Sequence, residues 1–168
     1  MSARPVRRAG APLDATVTVP GSKSISNRAL VCAALGEDVC TLENLADGDD
    51  TVAMLDCLER LGVRVTVEGT TAVVRGCGGV LPEGPIVLPT KLAGTTSRFV
   101  TALAALGPGP YIIDGEAPLR ARPMAPLHDA LMSLGTVVHP MDRQGHLPVQ
   151  VRDRKSTRLN SSHLALSR

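Results

Sequence analysis

The sequence has almost no aromatic residues: it contains no tryptophan, one phenylalanine (Phe99) and one tyrosine (Tyr111). Proteins that bind nucleic acid by base stacking need aromatic side chains, so the composition argues against that class of partner. The sequence also lacks an apolar run of membrane-spanning length, and Arg4, Arg7 and Arg8 precede no hydrophobic segment. Neither a transmembrane helix nor a secretory signal is expected, and a cytoplasmic protein is predicted.

Cysteine motifs are missing as well. The four cysteines form no C-x-x-C pair, and no histidine lies close enough in sequence to complete a zinc pattern. No metal site is therefore predicted. Cys32 and Cys57 fall on the apolar faces of predicted helices, where buried thiols are expected.

A large net charge is absent too. The chain carries 18 basic and 16 acidic residues, and residues 153–168 contribute four of the basic and one of the acidic ones. Asp153 to His163 resemble one reading frame of a common sequencing-library adapter translated into protein. We therefore expect residues 153–168 to be an adapter-derived tail, the alternative being a natural polar tail. Without this segment the chain has no excess of positive charge, so binding to nucleic acid is not predicted.

The most informative segment runs from Pro20 to Leu30 and reads PGSKSISNRAL. An alternating stretch over residues 15–19 predicts a strand, and an apolar pattern at helical spacing follows over residues 24–35. Lys23, Ser24 and Arg28 therefore lie at or near a helix start, where free N–H groups and the helix dipole favour an anion. The simpler alternative is a serine cap beside two solvated surface charges.

The sequence also contains an internal repeat. Ser26-Asn27-Arg28 matches Thr96-Ser97-Arg98, and two predicted helices end in Leu-x-x-Leu-Gly, at an offset of 70 to 73 residues. Each copy predicts a βαβαββ unit, over residues 15–76 and 86–152, after a flexible N-terminus over residues 1–14. The predicted fold class is therefore α/β (α+β). The strands are expected at residues 15–19, 39–43, 63–67, 71–75, 86–88, 110–114, 136–139 and 147–151, and the helices at 24–35, 50–61, 95–106 and 123–134.

The string PGSKSISNRAL resembles the signature of the EPSP synthase (3-phosphoshikimate 1-carboxyvinyltransferase) family. The resemblance covers about residues 15–152. It implies the inside-out α/β barrel of the enolpyruvyl transferases, in which each of two domains is assembled from three βαβαββ units. Two units of one domain are present, so the resemblance implies an N-terminal fragment of a longer protein that is expected to be a monomer.

Two further loops carry the resemblance. Leu92-Ala93-Gly94-Thr95 is similar to the family's Asn-Ala-Gly-Thr, but Leu92 stands at the Asn position and removes a polar contact. Gly94 permits close approach of a ligand to the backbone. Arg120 and Arg122 alternate in a stretch predicted to be extended, and Pro123 is expected in the first turn of the next helix.

The resemblance implies transfer of the enolpyruvyl group from phosphoenolpyruvate to the 5-hydroxyl of shikimate 3-phosphate, in the shikimate pathway and without a metal or organic cofactor. By motif, shikimate 3-phosphate is bound by Lys23, Ser24 and Arg28. Phosphoenolpyruvate is bound by Lys23, Gly94 and Arg122. Thr95 and Arg120 are weaker candidates.

No catalytic acid or base is identified in the chain. His128 is expected to be a surface or hydrogen-bonded histidine, His139 and His146 flank a predicted hairpin, and Asp47 to Asp50 are interpreted as a loop and an N-cap. The chain alone is therefore predicted to have no transferase activity. Three alternatives stay open: a relative of the UDP-N-acetylglucosamine enolpyruvyl transferase, a non-catalytic anion-binding module, and a chain with no stable function of its own.

Overall fold

The computed structural model describes residue 5 and residues 8–153 of the chain. The helices in this part are α1 (Lys23–Leu35), α2 (Asp49–Arg60), α3 (Gly94–Ala104), α4 (Ala117–Arg120) and α5 (Ala125–Ser133). The strands are β1 (Val39–Leu42), β2 (Arg64–Glu68), β3 (Thr71–Arg75), β4 (Glu83–Pro89), β5 (Gly109–Asp114), β6 (Val137–Pro140) and β7 (Val149–Arg152). The mixed α/β class is confirmed, and the short helix α4 is the element that the sequence did not predict. The expected adapter-derived tail lies, after Asp153, outside the described residues and stays a prediction.

The strands form two sheets of related order. The first sheet has the order β1-β3-β2, and both pairs are antiparallel. The second has the order β4-β5-β7-β6, in which β4 and β5 are parallel and the other pairs are antiparallel. The arrangement β5-β7-β6 therefore matches β1-β3-β2, as the internal repeat suggests.

The predicted strand over residues 15–19 is wrong. These residues belong to no strand, and Val17 and Val19 are 76% and 69% exposed. Alternation of apolar and polar residues indicates which face a strand would bury, but a strand forms only where a neighbouring chain completes its hydrogen-bond ladder. In the second sheet β4 covers the outer edge of β5, whereas the corresponding edge of β1 has no partner strand among the described residues.

The three longest helices pack against one another, and α2 and α3 also contact the second sheet through β4 and β5. The core that they share includes Leu30, Met54, Leu58 and Val100, all completely buried. Complete burial of such side chains contributes about 1.5–3 kcal/mol each. This packing brings the N-terminal ends of α1, α2 and α3 together, which decides where the candidate site lies.

The two Leu-x-x-Leu-Gly helix ends adopt the same backbone conformation. Gly62 follows α2 with φ of 83°, and Gly135 follows α5 with φ of 96°. Glycine ends helices in this left-handed conformation because it has no Cβ to clash. The surroundings differ, since Leu61 is fully buried and Leu134 is 82% exposed.

Among the helices of the described part of the chain, none combines the length and the apolar character that a membrane span requires. In the same residues no three or more His, Cys, Asp or Glu side chains come together as a metal site. Cys57 is buried as predicted, but the prediction for Cys32 is wrong because this residue is exposed on α1.

Candidate functional site

A cavity of about 540 Å³ lies where the N-terminal ends of α1, α2 and α3 meet the segment between α4 and α5. It is lined by Lys23, Arg28, Asp50, Leu92, Gly94, Thr95, Ser97, Arg98, Phe99, Leu119, Arg122 and Met124. Four of these residues are cationic and one is a carboxylate. The cavity therefore joins three segments that the sequence analysis treated separately: the Lys23 motif, the Gly94 loop and Arg122.

The electrostatics of the helix starts differ. α2 begins with Asp49 and Asp50, whose charges oppose the positive end of its dipole. Neither α1 nor α3 has an acidic residue in its first turn, and no side chain caps either helix start. The positive ends of α1 and α3 therefore remain uncompensated by their own sequences and face the same cavity.

Lys23 forms an ion pair within the cavity. Its Nζ lies 2.5 Å from Oδ2 of Asp50, whose side chain is 17% exposed. The expectation that Asp47 to Asp50 serve only as loop and N-cap is therefore incomplete: Gly48 takes the cap position of α2, and Asp50 points into the site. No local sequence signal identifies this partner, because Asp50 reaches Lys23 only through the packing of α2 against α1.

Arg28 lies on α1, as Lys23 does, and is held in two ways. Its Nη1 donates to the carbonyl oxygen of Ser24 at 2.9 Å, and its guanidinium carbon lies 5.7 Å from the centre of the Phe99 ring. A guanidinium at this distance from a ring is attracted to the ring face. Phe99 from α3 therefore helps to fix an arginine of α1, and it is a further residue of the cavity that sequence reasoning missed.

Gly94 leaves room for Arg122. A Cβ atom at position 94 would lie 2.9 Å from Nη1 of Arg122, closer than the 3.4 Å at which ordinary contacts begin. The absence of a side chain therefore lets the guanidinium lie directly over the start of α3. Thr95 lines the cavity beside them. In the structure it is Arg122 that approaches Gly94, and the close approach of a ligand to this backbone stays a prediction.

Arg98 was not singled out in the sequence, although it occupies the repeat position of Arg28. Its Nη2 donates to the carbonyl oxygen of Pro123 at 3.0 Å. This bond ties α3 to the segment that carries Arg122. Pro123 itself precedes α5, and Pro126 occupies the first turn of that helix instead. The prediction that Pro123 would stand in the first turn is thus wrong.

Two of the predicted binding residues do not line the cavity. Ser24 is exposed on α1, where its carbonyl oxygen accepts the bond from Arg28. Arg120 lies at the end of α4, so the predicted extended stretch is wrong. Its Nε and Nη2 donate to the two carboxylate oxygens of Asp114 at 2.9 and 2.6 Å, and this bidentate bond raises the pKa of Arg120.

The three histidines among the described residues, His128, His139 and His146, do not line the cavity. His128 is 3% exposed, and its Nε2 has no hydrogen-bond partner among the described residues, which contradicts the expectation of a surface or hydrogen-bonded side chain. Burial lowers the pKa of His128. His139 lies in β6, and His146 lies in the connection between β6 and β7, as the predicted hairpin required.

Comparison with known proteins identifies the family of the chain. The family model described as EPSP synthase (3-phosphoshikimate 1-carboxyvinyltransferase) matches residues 7–167. Curated relatives named 3-phosphoshikimate 1-carboxyvinyltransferase include one from Nostoc sp., 42% identical over 142 residues, and one from Paraburkholderia phymatum, 44% identical over 137 residues. These alignments cover 83% and 82% of this chain, and 33% and 32% of the relatives.

The solved structures give the same result for the fold. An EPSP synthase structure from Acinetobacter baumannii superposes with a TM-score of 0.76, at 24% sequence identity, over 82% of this chain and 32% of that one. The chain spans about a third of the length of the relatives that it matches. On the family model and the sequence identities together, this chain belongs to the EPSP synthase family.

Proposed function

We propose that this chain supplies part of the substrate site of an enolpyruvyl transferase that acts on shikimate 3-phosphate and phosphoenolpyruvate. The observation that carries the proposal is the convergence of Lys23, Arg28 and Arg122 on one cavity, beside the glycine at position 94. Both substrates are polyanions, and several cations must gather to compensate for the loss of their hydration. Family membership supplies the choice of substrates.

The roles follow from the motifs. Lys23, Ser24 and Arg28 are assigned to shikimate 3-phosphate, and Lys23, Gly94 and Arg122 to phosphoenolpyruvate. Lys23 belongs to both groups and is proposed to contact both substrates. Thr95 lines the cavity and offers a hydroxyl at the start of α3. Arg120 ranks last, because a ligand would have to displace it from Asp114.

In the proposed reaction the 5-hydroxyl of shikimate 3-phosphate loses its proton and its oxygen bonds to C2 of phosphoenolpyruvate, while C3 gains a proton. The resulting tetrahedral intermediate then loses phosphate from C2 and a proton from C3, which restores the double bond. Each half of the reaction needs an acid and a base. The cations of this cavity fit the other requirement, stabilisation of negative charge on the carboxylate and on the departing phosphate.

The acid and the base are not assigned to this chain. Asp50 is the only carboxylate among the described residues that line the cavity, and it is paired with Lys23. We therefore infer that the 168-residue chain alone binds anions but does not turn over. Its two halves, over residues 15–76 and 86–152, are proposed to be two units of the inside-out α/β barrel of a monomeric, cytoplasmic enzyme. Turnover above that of a Lys23→Ala variant would refute the inference of inactivity.

Isothermal titration of the chain with shikimate 3-phosphate tests the proposal, with UDP-N-acetylglucosamine as the competing ligand. We expect saturable binding of shikimate 3-phosphate and no binding of UDP-N-acetylglucosamine. Lys23→Ala and Arg28→Ala should each weaken the binding of shikimate 3-phosphate. The matched control is Arg64→Ala, which removes a positive charge from an exposed position of β2, outside the cavity. Selective binding of UDP-N-acetylglucosamine would instead assign the chain to the UDP-N-acetylglucosamine enolpyruvyl transferases. Equal binding of phosphate and shikimate 3-phosphate would favour a general anion-binding module.

A further inference from the structure

We propose that Asn27 and Thr96 are positioning residues that fix the starts of α1, α2 and α3 relative to one another, and thereby set the spacing of the anion-binding groups. The proposal rests on the proposed function, because it concerns how that same site is held. Neither residue lines the cavity. Both lie beneath it, at the point where the three helices meet.

The observation is a chain of hydrogen bonds that crosses both helix contacts. Nδ2 of Asn27 in α1 donates to Oγ1 of Thr96 in α3 at 3.2 Å. Oγ1 of Thr96 in turn donates to the backbone carbonyl oxygen of Asp50 in α2 at 2.9 Å. Asn27 and Thr96 are both 0% exposed. One hydroxyl group thus joins α1 and α2 through α3.

The repeat equivalent of Thr96 makes a related contact on the other side. Ser26 is 2% exposed, and its Oγ accepts a bond from the backbone N–H of Ala46 at 2.8 Å. Ser26 therefore holds the segment that leads into α2, and Thr96 holds the first turn of α2. Ser26 from α1 and Thr96 from α3 thus both form hydrogen bonds to the backbone at or just before the start of α2.

The polar network is not explained by stability alone. Oδ1 of Asn27 is buried and has no partner among the described residues, which costs free energy that an apolar side chain would not. Buried polar groups of this kind specify one arrangement of the packed elements. Here that arrangement decides the distance between Lys23 and Arg28 on α1 and Gly94 on α3.

The test compares Thr96→Val with Thr101→Val in the full 168-residue chain. Thr101 is the matched control, because its hydroxyl is equally buried but donates at 2.7 Å to Ser97 within the same helix. Inorganic phosphate is the probe. We expect Thr96→Val to raise the dissociation constant for phosphate about tenfold. Thr101→Val should leave it unchanged, and Thr96→Ser, which keeps the hydroxyl, should restore it.

Amide hydrogen exchange supplies a readout that does not depend on the ligand. Thr96→Val should accelerate exchange over the first two turns of α1, α2 and α3, whereas Thr101→Val should not. If the unsubstituted chain binds neither inorganic phosphate nor shikimate 3-phosphate, the proposed function fails and the exchange pattern alone decides the positioning role. If it binds only shikimate 3-phosphate, that ligand replaces inorganic phosphate as the probe. Equal phosphate affinities, or equal exchange, in the two Val variants would overturn the proposal.

Discussion

Replacement of Gly94 by alanine should separate binding from stability. The added methyl group would lie 2.9 Å from Nη1 of Arg122, and its next neighbour, Cδ1 of Leu119, is 3.8 Å away. The conflict therefore falls on the end of a flexible, exposed side chain rather than on the backbone. Arg122 can relieve it by moving about 0.5 Å, so the fold should tolerate the substitution.

The substitution is expected to leave stability unchanged or slightly increased and to decrease the affinity for phosphoenolpyruvate. Alanine in the first turn of α3 gains helix propensity and loses unfolded-state entropy, which adds between zero and about 1 kcal/mol to the free energy of unfolding. The displaced guanidinium loses optimal contact with the anion. A misplacement on the order of 1 Å can reduce catalytic rate about a hundredfold. By analogy we expect the smaller shift of Arg122 to weaken phosphoenolpyruvate binding roughly tenfold.

The assay is titration of Gly94→Ala with phosphoenolpyruvate, together with thermal unfolding. The control is Gly48→Ala, at the start of α2, because a Cβ there meets nothing within 4 Å and φ is −176°, extended backbone that any residue adopts. We expect a loss of affinity in Gly94→Ala alone. An unchanged affinity in a folded Gly94→Ala variant would refute the assignment of Arg122 to the ligand.

Three further predictions concern Asp50, His128 and the cysteines. Asp50→Asn removes the carboxylate that pairs with Lys23, so inorganic phosphate should bind more tightly at low salt, and weaker binding would contradict this electrostatic account. Burial lowers the pKa of His128 below 6.5, so the unfolded chain binds more protons and the free energy of unfolding should fall as the pH drops below that value. Thermal unfolding measured across this pH range should show a smaller loss of stability for His128→Asn than for the unsubstituted chain. Identical pH dependence in the two proteins would show that His128 is not the group responsible. Burial raises the pKa of Cys57 to about 12, so a chromogenic disulfide reagent at neutral pH should modify exposed Cys32 and reach Cys57 only after unfolding.

Local patterns in the sequence were sufficient to predict the four longer helices and the glycines that follow α2 and α5. Period and punctuation are properties of neighbouring residues, so α1, α2 and α3 were predicted within two residues. The strand predicted at residues 15–19 is absent because its formation does not depend on neighbouring residues alone. The alternation in this segment is local, but strand formation depends on a partner that is distant in sequence.

The missed features of the site are all long-range contacts. Asp50 reaches Lys23, and Phe99 reaches Arg28, only after helices that are separate in sequence have packed together. Arg120 shows the converse: a cation beside a predicted site can be occupied by a carboxylate of the preceding strand, in this case Asp114. Residue type and spacing indicate which side chains suit an anion, but packing decides which of them remain available.

His128 was misjudged because a helical pattern does not reveal what covers the outer face of a helix. The connection between β6 and β7 lies over the start of α5, where the N–H of Met124 donates to the carbonyl oxygen of Gly145 at 2.7 Å. A Cβ at Gly145 would lie 2.8 Å from Cβ of Ala125, which shows how closely this connection approaches the helix. The connection between β6 and β7 therefore packs against α5, and we attribute the burial of His128 to this packing.

The two arginines that the repeat pattern aligns, Arg28 and Arg98, contribute to the site in different ways. Arg28 and Arg98 occupy equivalent positions on α1 and α3, and both line the cavity. Their neighbours differ, since Phe99 corresponds to Ala29 under the offset that aligns the two arginines. Arg28 is therefore held by an aromatic ring of the other copy, whereas Arg98 bonds to Pro123 and fixes the segment that carries Arg122. The starts of α1 and α3 are similar in sequence, and both of their arginines line the cavity. Unmatched residues give Arg28 an aromatic support and let Arg98 bond to the segment that carries Arg122.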